Sequence, residues 1–562
     1  MLNFNNYSNV TKITIPDNVN ISSNFSNKFK SMSNLKFLNI PQNISNMANM
    51  CFKCTNLVSA PVCGDNTTNM SQAYLNCRNI TGSPVCGDKV TNMTGTYQYC
   101  YNLTGSPACG DSVRNMVSAY YNCYNLTGSP ACGNSVTDMD SAYVNCTNLT
   151  GSPVCANYVW SMNYTYYNCY NLTGSPACVD YVRYLVSTYY NCSNLTGSPV
   201  CGDMVANMSN AYYNCRNLTG NPACGDYVRD MYRAYYNCRN LTGSPVCGTN
   251  VTNMANTYYG CTNITGNPVC GANVTNIAST YYNCTNLTGN PTCGNKVTNM
   301  ASAYYSCYNL TGSPVCGENV VGMASAYYGC SNLTGSPVCG NSVTNMRYAY
   351  SNCHNLTGSP VCGENVMSMY HTYSNCYNLT GSPVCCNNVT SMACAYYGCT
   401  NITGNPVCGE NVTDMECAYY GCTNLTGSPV CGENVTDMDS AYYGCRNLTG
   451  SPVCGNNVTS IWNTYRGCTN LAGNAYFYSN NIGSVYGCFY GRDNNKALNI
   501  YVHSNTTSLT RLLNTDRSYS LVSANITWTD DVANSGAHYN TAYNIYIYPV
   551  SNVAAIREAN GD

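Results

Sequence analysis

Forty-two cysteines and four histidines are the residues best able to do chemistry in this 562-residue chain. Nineteen of the cysteines, from Cys54 to Cys468, recur every 23 residues, and eighteen more, from Cys63 to Cys454, recur nine residues behind them. Thiolates bind soft metals, react as nucleophiles or pair as disulfides. Metal centres need ligands clustered at short spacing, such as a repeated CxxC, or histidine partners. Only Cys51 and Cys54 form such a pair, and His354, His371, His503 and His538 are scattered. A regular ladder of one residue type reads better as a stacked interior, where free cysteine behaves as a small buried hydrophobe. Disulfides between rungs and metal binding stay open as the lesser alternatives. No Ser/His/Asp or Cys/His constellation recurs, and no glycine-rich phosphate loop follows a strand. We therefore expect no enzyme, no cofactor and no metal.

Two other patterns carry possible chemistry. Asn-Leu-Thr recurs in nearly every repeat and formally matches a glycosylation acceptor. Its Leu falls on the inward pattern, so structural turn residues are expected, with the Asn amide bonding backbone between coils. Asp414, Glu416, Asp437 and Asp439 cluster. That could suggest calcium, but these are also ordinary outward positions.

The elements that position these residues come from a 23-residue repeat. From Cys54 to Cys468 there are 414 residues, eighteen times 23, so eighteen repeats follow without an insertion. A fixed period in this range is the signature of a repeat architecture, in which each repeat buries its apolar face only against its neighbours. We number positions from the first Cys of each repeat. Position 17 is Met with few substitutes (Leu185, Ile277, Ile461), position 20 is Ala or Thr, and position 21 is Tyr throughout. With the following Cys they are spaced i, i+3, i+4, i+7, so Met116, Ala119, Tyr120 and Cys123 are expected inward on a short helix. Positions 18, 22 and 25 vary and should form its solvent face. The segment Leu-Thr-Gly-Ser-Pro-Val-Cys-Gly reads as one short strand per coil. Coils would stack at roughly 4.8 Å per rung, with Gly105 and Gly110 at tight bends and Pro107 at a strand edge or corner. The outward position-22 tyrosines are the candidate ligand-binding stripe: Tyr121, Tyr167, Tyr190, Tyr213, Tyr236, Tyr259, Tyr282 and Tyr305. Exposed aromatics give rigid contact area at low entropy cost.

Near the N-terminus, Val10-Thr-Lys-Ile-Thr-Ile-Pro16 and Leu35-Lys-Phe-Leu-Asn-Ile-Pro41 resemble the BspA-like leucine-rich repeat, whose pattern runs L-x-x-I-x-I-P through A-F-x-x-C with the same period. Ala119-Tyr120 and Cys123-Tyr-Asn-Leu126 match the second half of that pattern, and Leu126-Thr-Gly-Ser-Pro-Ala-Cys-Gly departs from the first. The resemblance covers roughly residues 8–488. It implies a right-handed stack of coils used for adhesion or recognition. The expected fold class is thus an α/β repeat solenoid, a leucine-rich-repeat-like stack of about twenty coils with a short strand and a short helix each, plus a small C-terminal β module.

The expected domains are 1–53, an N-terminal cap with divergent repeats; 54–467, the eighteen repeats; 468–488, a degenerate last repeat; and 489–562, a β-rich cap or attachment module. In this last module Leu498–Val502, Ser523–Trp528 and Tyr543–Tyr548 read as strands. The tail and the Tyr- and Asn-rich array also resemble fibre proteins of tailed phages of gut bacteria.

Only 8% of residues are charged and the net charge is −2, which argues against nucleic acid or an anionic membrane as partner. There is no apolar run long enough to span a bilayer, and the first residues lack a secretory signal pattern. The expected function is a non-enzymatic virion protein, a tail fibre or receptor-binding protein contacting a bacterial surface glycan or protein. Other virion proteins or self-association are further partners, and the location is virion or extracellular. The alternatives are a BspA-like cell-surface adhesin or an inert spacer arm.

Overall fold

The computed structural model describes residues 7, 9–19, 21–531 and 536–562. It divides into two compact bodies, Met1–Leu287 and Thr288–Asp562, and each is described by itself.

In the first body the chain winds through stacked coils. Strand forms only where the residues suit it: β1 (Lys12–Thr14) pairs in parallel with β2 (Phe37–Asn39), placing Ile13 opposite Leu38. These are the segments that carry the β-branched I-x-I-P pattern. In the following repeats Leu-Thr-Gly-Ser-Pro replaces it, and the segment bends at its glycine and runs on without a ladder. Pro107, expected at a strand edge, is buried in this run. What persists from coil to coil is one parallel bridge at position 16, for example Asn92 to Asn115 and Asn115 to Asp138.

The expected helix is absent. Among the described residues α-helix occurs only in the C-terminal module. Over 116–126 the peptide groups alternate. Ala119 N–H donates to Met116 O (3.0 Å) and Cys123 N–H to Tyr120 O (3.1 Å), closing turns within the coil. Met116, Ser118, Tyr120 and Asn122 donate instead to carbonyls of the next coil, at 2.7–2.9 Å. An α-helix needs every N–H for its own i−4 carbonyl, and here every second one is given to a neighbour. Ser118 (φ 53°) and Asn122 (φ 62°) sit in the left-handed region, as the third residue of a type II turn requires. Two successive turns of this kind repeat every four residues. They therefore bring positions 17, 20, 21 and 24 to one face, as a helix would, and Met116, Ala119, Tyr120 and Cys123 are fully buried.

Within the body the position-21 tyrosines are buried and stack on one another, as in Tyr189–Tyr212 (5.3 Å, 9°) and Tyr212–Tyr235 (5.4 Å, 2°). The hydroxyl spans the coil interior. Tyr166 Oη donates to Val154 O (2.7 Å) and accepts from Val154 N–H (3.0 Å), satisfying both backbone groups of position 9. The family pattern places Phe at this position. The extra hydroxyl of Tyr supplies hydrogen bonds that a strand ladder would otherwise give to the extended segment. Position-1 thiols are fully buried and donate to a carbonyl one coil back, as Cys123 Sγ does to Tyr97 O at 3.0 Å.

Glycine at position 6 is needed for both conformation and space. Gly128 has φ 78°, and a methyl there would overlap Ser106 Oγ of the preceding coil, 3.0 Å from Ser106 Cβ. Gly128→Ala is expected to destabilise the first body by about 1–3 kcal/mol from backbone strain alone, read as a lower denaturation midpoint. Ser129→Ala, one residue on and exposed, should change it by less than about 0.5 kcal/mol.

The second body repeats these features and ends in a six-stranded sheet ordered β3-β4-β5-β8-β7-β6. The strands are β3 (Val453–Cys454), β4 (Gly473–Phe477), β5 (Leu498–His503), β6 (Thr529–Asp531), β7 (Ala537–Asn540) and β8 (Ile545–Val550). The first four in that order pair in parallel, so β4 and β5 continue the coil-stacking direction, and β7 and β6 close antiparallel. Residues 489–562 are thus not all β: α1 (Thr507–Leu512) and α2 (Val553–Asn560) belong to them, and Ser523–Trp528, expected as a strand, is irregular. Val553 of α2 packs with Val453 and Tyr476, and Arg492 donates to Asn544 O (3.2 Å) and Tyr543 O (2.5 Å).

Candidate functional site

Position 22 is the second residue of the second turn, so its side chain leaves the coil outward, beside the left-handed Asn of position 23. The eight expected ligand-binding tyrosines all stand there, and all are half-buried rather than exposed. Tyr167, Tyr190, Tyr213, Tyr236, Tyr259 and Tyr282 form one continuous pile in the first body, with centroids 4.4–4.6 Å apart and planes within 11°. Tyr121 is outside it because Val144 occupies the intervening rung, and it meets Tyr99 edge-on at 5.6 Å. In the second body Tyr305 stacks on Tyr328 at 4.5 Å.

Their half-burial has a simple cause. Coil spacing falls near the contact distance of two rings, so identical outward aromatics pack on one another rather than stand in water. Each stacked pair contributes about 0.5–1.5 kcal/mol. Desolvation, with neighbouring phenols next in importance, pushes the Tyr190 hydroxyl up to about 12. Inside the pile the ring faces are covered, and only edges and hydroxyls meet solvent. Beside it, position-23 asparagines form an amide ladder, with Asn168 Nδ2 donating to Asn145 Oδ1 (2.8 Å) and Asn191 to Asn168 (2.9 Å). Stacked in this way, the tyrosines of the stripe join neighbouring coils to one another.

The other candidates also find structural partners. In Asn-Leu-Thr, Leu126 is buried and Asn125 exposed. Where these amides are engaged, they meet the same amide one coil away, as Asn79 to Asn56 at 3.2 Å, not the backbone. In the acidic cluster Asp414 accepts from Glu416 N–H (3.0 Å) and Asp437 from Asp439 N–H (2.8 Å), holding turn entrances. Asp439 accepts from Trp462 N–H and Ser460 Oγ. Among the described residues no group of three His, Cys, Asp or Glu could hold a metal ion.

The two cysteine ladders hold thiols, buried at position 1, as at Cys123, and half-buried at most position-10 sites, as at Cys109. Burial pushes position-1 thiols such as Cys100 well up, and among the half-buried position-10 thiols it raises Cys109 to about 12 and Cys132 to about 11. Cys417 and Cys431 differ: a hydrogen bond from the thiol one coil away, Cys394 and Cys454 respectively, holds each below its ordinary value, and of the two only Cys417 is half-exposed while Cys431 is buried. With iodoacetamide at neutral pH, Cys417 is expected to be alkylated first and Cys123 only on unfolding, since the thiolate is the reacting form. Peptide mapping of a labelling time course checks the order.

The rings that do stand in solvent are elsewhere. Tyr158, Tyr181 and Tyr227 at position 13 are 63%, 59% and 64% exposed, and Trp160 at position 15 is 46% exposed. Reading for periodicity missed them because they break the period. The available signal was that position 13 is Asn, Ser or Lys in fourteen repeats and apolar only in four consecutive ones.

Residues 2–104, 116–219 and 230–357 match the BspA type leucine rich repeat region, in six copies. The chain belongs to this family. The strand pair β1–β2 preserves the strand half of the BspA-type repeat, and the buried Ala-Tyr-x-x-Cys segment preserves the other half in modified form. Among solved structures, a leucine-rich repeat protein from Bacteroides ovatus ATCC 8483 is 12% identical, covering 83% of this chain and 86% of that one, with a TM-score of 0.20. A leucine rich cell surface protein from Faecalibacterium prausnitzii A2-165 is 14% identical (83% and 87% covered, TM-score 0.18). YopM from Yersinia enterocolitica WA-314 is 11% identical (78% and 91%, TM-score 0.31). No curated protein sequence matches the chain. Neither the family match nor these neighbours support a phage tail-fibre role. Among the described residues no helix is long and apolar enough to cross a membrane.

Proposed function

We propose that this BspA-type array is a non-enzymatic adhesin that acts outside the cell and binds a glycan or protein receptor on a cell surface. One observation carries the reading. Interior positions repeat the same Met, Ala or Thr, Tyr and Cys in coil after coil, all buried, whereas outward positions change from repeat to repeat. Stability in such a stack is a sum of repeat and nearest-neighbour terms. An interior that repeats so closely leaves the outward residues free to be set by a ligand. Family membership supports the same reading, because the BspA-like resemblance implies adhesion or recognition.

The test is binding of labelled, purified protein to a panel of bacterial and host cells, with and without periodate. The expected result is saturable, strain-restricted binding. Absence of saturable binding to every cell type would overturn the adhesin in favour of a passive spacer.

A further inference from the structure

Where position 13 is Asn, from Asn250 onward, it has a structural job. Its asparagines donate across coils, as Asn250 Nδ2 does to Asp226 O (2.8 Å), Asn319 to Asn295 O (2.8 Å) and Asn434 to Glu410 O (2.9 Å). Position 15 does likewise: Thr91 Oγ1 donates to Thr68 O and Thr252 Oγ1 to Arg229 O, both at 3.1 Å. In four consecutive repeats both jobs are abandoned. Position 13 becomes Tyr158, Tyr181, Met204 and Tyr227, and position 15 becomes Trp160, Arg183, Ala206 and Arg229. Val159, Val182, Val205 and Val228 between them stay buried, so the register is intact and only the outward residues have changed. A run that gives up inter-coil hydrogen bonds and places apolar rings in water loses stability without a structural return. Local rules broken in this way mark functional surface.

From this juxtaposition we infer that the outward row of Tyr158, Trp160, Tyr181 and Tyr227, flanked by Arg183 and Arg229, is a binding site for an uncharged polysaccharide chain. The inference deepens the adhesin reading and rests on it. Three features select this occupant. First, the ring faces are open. Tyr158 and Tyr181 stand 6.4 Å apart and tilted by 33°, and Trp160 meets Tyr184 edge-on at 6.1 Å, unlike the closed pile at position 22. The apolar C–H face of a pyranose stacks on such a ring.

Second, polar groups flank the row without being committed elsewhere. Asp180, Asp203, Asp226, Arg183 and Arg229 are exposed, and the two ion pairs of the described residues lie elsewhere, at Lys496–Asp493 and His538–Asp530. Carboxylates and guanidinium groups can bond the hydroxyl rim of a sugar. Three of one sign and two of the other nearly cancel, which disfavours a polyanion.

Third, the row follows the stacking direction with a side chain on every coil. This is a repeating ridge suited to a repeating polymer. A protein hot spot is instead a desolvated pocket with a sealed rim.

The experiment uses the full chain and a variant in which the array's own residues are restored: Tyr158→Asn, Tyr181→Asn, Met204→Asn, Tyr227→Asn and Trp160→Thr. Affinity is titrated against a neutral β-glucan, a galactomannan and a galactan, with heparin as the polyanion control, and cell binding is measured alongside. The expected result is micromolar-range binding to a neutral polysaccharide, lost at least tenfold in the variant, with a denaturation midpoint unchanged or raised. Equal binding by both proteins overturns the site. Cell binding that is lost in the variant but resists periodate, with no affinity for any polysaccharide, overturns the carbohydrate assignment in favour of a protein partner. A wild-type chain that binds no cell and no polysaccharide overturns this inference together with the adhesin. A chain that binds cells equally with and without the row overturns this inference alone.

Discussion

In reducing buffer the fold is expected to withstand pH 7 to 8 and then lose stability steeply as pH rises past about 9. Position-1 thiols such as Cys100 and Cys146 and position-10 thiols such as Cys109 and Cys132 are protonated in the fold, and burial raises them from an ordinary value of 9.0, to about 12 for Cys109 and about 11 for Cys132. The position-21 phenols, such as Tyr120, are raised well above 10.0 by the same cause. Above 9 the unfolded chain releases thiol protons that the folded chain retains. It therefore binds fewer protons, and stability falls with pH until the folded value is passed. Each such thiol approaches a loss of about 1.4 kcal/mol per pH unit once pH is well above the unfolded value. A repeat holds two of them, and because each is already half ionised at pH 9 in the unfolded chain, a coil should lose about 2 kcal/mol between pH 9 and 10. Denaturant titrations at pH 7, 8, 9 and 10 read this as a constant midpoint followed by collapse. A flat profile to pH 11 would remove the buried-thiol account.

Replacing Tyr212 by phenylalanine is the second large expected effect. Its hydroxyl donates to Val200 O (2.6 Å) and accepts from Val200 N–H (3.1 Å) inside the coil. The ring, the stack and the shape survive the change, while two inward backbone groups lose their partner. An unsatisfied buried polar group costs about 1–3 kcal/mol, so the pair should cost about 2–6 kcal/mol on the same principle. Amide exchange at Val200 should accelerate with it, because coils are coupled mainly to their nearest neighbours. Tyr213→Phe, next door in the outward pile, keeps its stacked faces and should cost less than about 1 kcal/mol. Equal stability of the two variants would show that the position-9 groups do not depend on the phenol.

These two predictions rest on features that differ in how far the sequence reveals them. The core was legible: Met116, Ala119, Tyr120 and Cys123 share a face by spacing, and all are fully buried. The element was not. The i, i+3, i+4, i+7 rule was derived for a helix, and a pair of type II turns satisfies it equally. The sequence did hold a clue. Ser118 and Asn122 belong to residue types at home in the left-handed region, and Gly takes the second of these positions at Gly260, Gly329, Gly398, Gly421 and Gly444. Four-residue periodicity of such residues is incompatible with a continuous helix. The strand half was mis-assigned for the opposite reason: coil stacking favours strands, but Thr-Gly-Ser-Pro has neither the β-branched side chains nor, at Pro, the donor to build one.

By itself the sequence determined the 23-residue period, the family and which side chains face inward, because burial in a stack is a periodic property and a period is written in order. Only the tertiary structure decided which half of each peptide ladder goes to the neighbouring coil, and hence that no helix forms. It also decided which aromatics meet solvent. Tyr190 and Tyr181 are the same residue type, both outward, yet one is shut between rings 4.6 Å and 4.4 Å away and the other is open beside a tilted ring at 6.4 Å. That difference lies in distances between residues 23 apart in the chain, where ring registry across coils, and not composition, decides whether water reaches a face.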